Sequence, residues 1–280
     1  MGALLILGSA LAFSTAGLFT RLLATDVWTM LFWRGVFGGL LILGFIAWRE
    51  GRGTLGAFRA MGWPGALAGG CSTVATICFI NALRLTTVAD VTIIYATAPF
   101  VAAALAWLWT REREGWVTLA ASGLALAGVV VMFDAAVEAG HLAGNLLALA
   151  MTVLMAGMMV VVRRFRAVSM LPGSCLSAFA CAVVVWPLAR PGAVGGSEFL
   201  LLALFGVTQF GLGLLLLTLG SRLISATRAS LLGNVELPIA PLLVWAAFGE
   251  MPGVGTWVGG GIVMAAVLGE VVAGEVRGRR

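Results

Sequence analysis

Residues 198–220 read EFLLLALFGVTQFGLGLLLLTLG: one glutamate, then no ionisable side chain until Arg222. A hydrocarbon core of about 30 Å takes roughly 20 apolar residues as a helix. This run has that length and is apolar on every face. Working outward from it, the same ruler predicts ten spans, near residues 2–20, 27–48, 62–82, 89–109, 116–133, 142–162, 171–189, 198–220, 226–248 and 253–274. Breakers separate them, among them Gly51-Arg52-Gly53, Pro191-Gly192, Gly195-Gly196 and Pro252-Gly253. Membrane strands would read as alternating segments of about ten residues, half the length seen here.

Composition agrees. Hydrophobic residues make up 61% of the chain and charged residues 10%, against about 25% charged in soluble domains. Too little polar side chain exists to cover a water-facing surface, which excludes a soluble enzyme or a nucleic-acid binder. The net charge of +5 comes entirely from arginine, scattered singly or in small groups, so no basic patch alternates with aromatics as base stacking needs. Cys71, Cys78, Cys175 and Cys181 lie inside apolar stretches and read as free buried thiols; with His141 the only histidine, no metal-ligand spacing exists. No cofactor is implied.

Arginine bias in short loops fixes orientation. Numbering the loops alternately, one side receives thirteen arginines (49, 52, 59, 111, 113, 163, 164, 166, 222, 228, 277, 279, 280) and the other three (21, 84, 190). Both termini are therefore expected in the cytoplasm, with the chain multi-pass in the inner (plasma) membrane. Residues 1–20 lack a positive leader region and are expected to stay as the first helix.

Shifting the chain by 138 residues lays Arg84-Leu85-Thr86-Thr87 on Arg222-Leu223-Ile224-Ser225, Glu112 on Glu250, Thr118 on Thr256 and Gly123 on Gly261. Chance similarity between apolar helices competes with a true repeat. As a repeat, it gives an all-α integral membrane protein of two five-helix halves, 1–138 and 139–280. Five is odd, so the second half enters from the opposite side and the halves are inverted. Many secondary transporters share that arrangement, with substrate near the midplane between repeats.

The pattern of a small-residue turn, then Glu236 near a proline and Gly249-Glu250 beyond it, resembles the EamA-type members of the drug/metabolite transporter superfamily. So do Ala98-Pro99 with Glu112, and Trp33-Arg34 in the second helix. Pro238, one residue late, and Arg111, in place of the usual glycine before Glu112, depart from the pattern. The resemblance implies a metabolite exporter, often of amino acids; the nearest-looking relatives are the YddG-type aromatic amino-acid exporters.

Ionisable groups inside a span face a cavity or a partner. Two stand out. Glu236, beside Asn234 in a helix whose backbone ladder Pro238 and Pro241 interrupt, is either a proton-coupling or ammonium-binding carboxylate, or a hydrogen-bonded packing group. Arg34 pairs with Asp90 or Asp26 in the reading adopted, with a clamp on a substrate carboxylate as the alternative. A cavity for an amino acid needs hydrogen bonds and an aromatic wall. The candidates are Ser14, Thr15, Thr76, Phe79, Asn81, Tyr95, Thr97, Met155, Met158, Gln209, Phe210, Asn234 and Glu236. Tyr95, the only tyrosine, leads them because Pro99 frees backbone one turn later; an interfacial anchor is its bland alternative, as core packing is for the two methionines. Gly65-x-x-x-Gly69 and Gly255-x-x-x-Gly259 permit close helix crossings, expected within a monomer. Trp28, Trp48, Trp63, Trp107, Trp109, Trp116 and Trp257 fall near span ends as an interfacial belt.

The expected partners are a small-molecule substrate, the bilayer and, for a coupled mechanism, protons. No Walker-type phosphate loop is present, so ATP does not drive transport. Nucleotide sugars, drugs or phosphorylated compounds are the alternative substrates. An intramembrane enzyme lacks a nucleophile–base or paired-acid constellation, and a non-transporting scaffold would not need polar residues at mid-span.

Overall fold

The computed structural model describes residues 1–86, 88–111, 114–132, 142–249 and 251–278. Thr87, Glu112, Arg113, His141, Glu250, Arg279, Arg280 and the boundary at 138/139 lie outside them, as do the side chains of Arg84, Asp90 and Arg277. Regular structure among the described residues is entirely helical: α1 (Gly2–Ser14), α2 (Ala16–Leu22), α3 (Val27–Glu50), α4 (Thr54–Ala60), α5 (Gly62–Leu85), α6 (Val88–Ala96), α7 (Ala98–Thr110) and α8 (Trp116–Met132), then α9 (Leu142–Arg164), α10 (Leu171–Val185), α11 (Gly196–Leu204), α12 (Gly213–Ser221), α13 (Ala226–Gly233), α14 (Glu236–Phe248) and α15 (Val254–Gly278), with short 3₁₀ turns in two connections. A π-helical segment, Phe205–Leu212, joins α11 to α12 without a bend to solvent.

Six helical runs are long and apolar enough to cross a membrane: Gly2–Leu22, Val27–Ala60, Leu142–Arg164, Gly196–Ser221, Ala226–Phe248 and Val254–Ala273. Ala98–Trp109, Trp116–Met132 and Leu171–Val185 are shorter apolar helices. The outer surface suits lipid. Of the seven tryptophans placed near span ends, all but the half-buried Trp28 are exposed.

Local chemistry sets the helix ends. Asp26 caps α3, accepting from the Trp28 and Thr29 amides at 3.0 Å each and from the Thr29 hydroxyl at 2.7 Å. Its slight burial works against ionisation, but those hydrogen bonds and nearby Arg190 outweigh it and hold the carboxyl below the ordinary carboxylate value. Ser225 caps α13 through the Arg228 amide.

The α6–α8 starts at Val88, Ala98 and Trp116 recur at Ala226, Glu236 and Val254, a constant displacement of 138 residues. Two further features obey it. Each long helix breaks at its middle, at Thr97 between α6 and α7 and at Asn234-Val235 between α13 and α14. Each then ends in a left-handed residue, Arg111 at φ 56° and Gly249 at φ 71°. Arg111 is the only non-glycine residue with positive φ among those described. Glycine takes that conformation at no steric cost whereas arginine is strained in it, so the departure noted from sequence stands at the position where glycine would be easiest.

The last helices of the two halves, α8 and α15, pack closely. A Cβ on Gly128 would lie 2.7 Å from the Gly259 carbonyl oxygen, and one on Gly259 would collide with the Gly128 carbonyl. Gly69 meets Gly173 of α10 in the same way. Both small-residue motifs therefore serve crossings inside the monomer. Elsewhere α1 packs on α12, α3 on α10 and α5 on α9, so most large contacts join one half to the other.

Candidate substrate site

The two broken helices carry several of the candidate side chains. At the first break the Thr97 hydroxyl donates to the Ile94 carbonyl at 2.6 Å, and Pro99, at the second position of α7, has no N–H with which to restore the ladder. At the second, Glu236 opens α14, and Pro241 inside that helix cannot donate to the Leu237 carbonyl. A carboxylate at the start of a half-helix sits on the positive end of its dipole.

Tyr95, two residues before the first break, and Glu236, just after the second, are both partly buried. Tyr95 packs with Met155 and Cys78 around Val91 and Met151. Met158, three residues after Met155, is 3% exposed and belongs to the main core, against which Met155 also packs. Asn234 is buried at the second break with its Nδ2 unpartnered among the described residues.

The remaining candidates divide. Ser14 and Thr15 mark a break between α1 and α2, donating to the Leu11 and Ala12 carbonyls at 2.7 and 2.6 Å. Thr76 donates to the Ser72 carbonyl and Asn81 to the Ile77 carbonyl. These donors are engaged within their own helices. Phe79 is exposed. Gln209 and Phe210 lie in the π-helical segment, a geometry common at functional positions. Gln209 is buried with its Oε1 unpartnered among the described residues.

The expected Arg34–Asp26 pair does not form. The Asp26 carboxylate is committed to the α3 cap, whereas Arg34, two turns further along, places its guanidinium 4.3 Å from the Phe210 ring centroid and 6.0 Å from that of Phe205. The face of an aromatic ring replaces the carboxylate as the cation's neighbour, and the Cys181 thiol is a second neighbour. The alternative partner, Asp90, has its side chain outside the described residues.

Sequence inspection counted two ionisable groups within spans; the structure adds Glu270. It lies within the last predicted span, is 4% exposed, and pairs with Arg228 Nε at 2.9 Å while accepting from the Thr118 hydroxyl at 3.4 Å. A carboxylate inside residues 253–274 was the available signal. From sequence, Arg228 reads only as a loop cation.

This bundle, helical throughout the described residues, with long apolar helices of which two are broken at mid-length, is a multi-pass membrane protein of transporter type. Residues 1–134 and 142–271 each match the EamA-like transporter family, and the chain belongs to that family, within the drug/metabolite transporter superfamily. A solved crystal structure 20% identical to it superposes with a TM-score of 0.83 over 97% of this chain and 96% of its own, a likeness of fold. A search of curated proteins finds no match.

Proposed function

We propose that the protein exports small metabolites, amino acids with aromatic or hydrophobic side chains, by alternating access through a cavity between two inverted halves, residues 1–138 and 139–280. In this reading ten spans cross the membrane: α1–α2, α3, α5, α6–α7, α8, α9, α10, α11–α12, α13–α14 and α15. Both termini face the cytoplasm and the protein works as a monomer in the inner membrane. The observation that carries the reading is the pair of helix breaks 138 residues apart, with Tyr95 just before one and Glu236 just after the other, in two segments that each match the transporter family. Interrupted helices in corresponding halves favour a midplane binding site. A ring accepts an apolar side chain and a carboxylate accepts an ammonium group or a proton. Exchanging the conformations of two inverted halves turns an outward-open cavity into an inward-open one.

Counterflow into proteoliposomes, run with amino acids, nucleosides and nucleotide sugars, tests this. Accumulation of labelled aromatic or hydrophobic amino acids is expected. Accumulation of nucleotide sugars alone would overturn the substrate class.

A further inference from the structure

At the end of the bundle expected to face the cytoplasm, a group of polar side chains fastens the start of α13 to α8 and α15. Arg228, in the first turn of α13, donates from Nε to Glu270 Oε2 of α15 at 2.9 Å. Thr118, in the first turn of α8, donates to the other oxygen of that carboxylate at 3.4 Å. Ser225, the cap of α13, donates its hydroxyl to Glu114 Oε2 at 3.1 Å, two residues before α8 begins. Glu270 and Thr118 are buried, whereas Arg228 is partly accessible. A carboxylate taken out of water is costly to leave without its partner.

The helices joined here differ in freedom. The Gly128–Gly259 crossing locks α8 to α15. α13 continues into α14 only through the break at Asn234-Val235, and element ends of this kind absorb the backbone change of a hinge. The 138-residue register shows that the opposite end lacks the same link. Thr118 has its counterpart in Thr256, but Arg228 falls on Asp90 and Glu270 on Met132. Met132 is buried in an apolar cluster with Val129 and Val263, and a thioether carries no charge for an ion pair.

We propose that the Arg228–Glu270 pair, with Thr118 and the Ser225–Glu114 bond, is a latch that holds the cytoplasmic end of α13 closed and biases the protein toward the conformer open on the other side. Two identical inverted halves would give the two conformers equal energy; a pair present at one end alone breaks that equality. The latch rests on the alternating-access reading above and is independent of which substrate is carried. Opening the cytoplasmic end swings α13 away from α8 and α15, parts Arg228 from Glu270 and uncovers the buried face of α13.

Thr227, beside Arg228 and fully buried, reports on that movement. In a variant with the four native cysteines replaced by alanine, Thr227→Cys would be labelled with a membrane-impermeant thiol reagent from the cytoplasmic side of sealed vesicles and, separately, from the outer side. Slow labelling is expected while the latch is intact. Glu270→Gln and Arg228→Gln should each raise the cytoplasmic-side rate about tenfold, less than the full cost of leaving a buried charge unpaired, with the outer-side rate unchanged. The double variant should label no faster than the quicker single one, as for two residues of one pair. Should Glu270→Gln fail to fold, Arg228→Gln, at the more accessible position, gives the same reading. An unchanged rate in Arg228→Gln, additive effects in the double variant, or equal acceleration from both sides would overturn the latch. Failure of the unmodified protein to exchange any substrate in counterflow would count against the export reading alone, because the labelling needs no substrate.

Discussion

The two broken helices share one backbone plan and carry different chemistry. At α6–α7 the break is quiet: Thr97 bonds back to its own helix, and Tyr95 offers a ring and a hydroxyl. At α13–α14 it is loaded, with Asn234 holding a nitrogen that has no partner among the described residues and Glu236 opening the half-helix. A repeat can therefore preserve where a helix stops while reassigning what stands there. In the proposed function, the first half would supply surface for an apolar group and the second would supply charge.

Substitution separates those roles. Glu236→Gln should have the largest effect, lowering pH-gradient-driven flux at least about a hundredfold, in the range for removal of a proton-transfer group, while counterflow exchange stays measurable. An unchanged pH dependence would take Glu236 out of the coupling step. Tyr95→Ala should follow, reducing transport of aromatic substrates about tenfold, as loss of apolar contact in a pocket implies, with expression intact. If small polar substrates suffer as much, Tyr95 is not the apolar wall.

The smallest effect concerns the ends of those helices. Gly249→Ala should lower stability by about 1 kcal/mol because its φ of 71° suits glycine. Arg111→Gly should raise it by up to about 1 kcal/mol, less whatever the Arg111 stack over Trp107, 5.5 Å away, contributes. Thermal unfolding midpoints in detergent would show both signs. A loss at both positions would mean that Arg111 is held by contacts outweighing its strain.

Much of this was legible in the sequence because the bilayer imposes so coarse a rule. Apolar length locates helices, and Pro99 and Pro238 mark breaks, since a missing N–H acts wherever the residue lies. The 138-residue register likewise survived in helix starts more faithfully than in side chains. What stayed hidden was pairing between distant segments. Asp26 looked like a partner for Arg34 because both lie near one end of a helix, but a carboxylate at an N-terminus satisfies backbone amides first. Gly206 and Gly211 bring the π-helical segment against α3 at Arg34 and Gly38, which sets Phe210 under the guanidinium. No local pattern announces that approach. Glu270 and Arg228, 42 residues apart, show the same limit.

The accessibility of position 95 tests the shared cavity most directly. In a variant with Cys71, Cys78, Cys175 and Cys181 replaced by alanine, Tyr95→Cys would be exposed to a membrane-impermeant thiol reagent from each side of sealed vesicles. Labelling from both sides, with substrate slowing it, is expected for a chamber that opens alternately. A thiol unreactive from either side, with the protein folded and embedded, would mean a dry, packed centre and would contradict transport along this path.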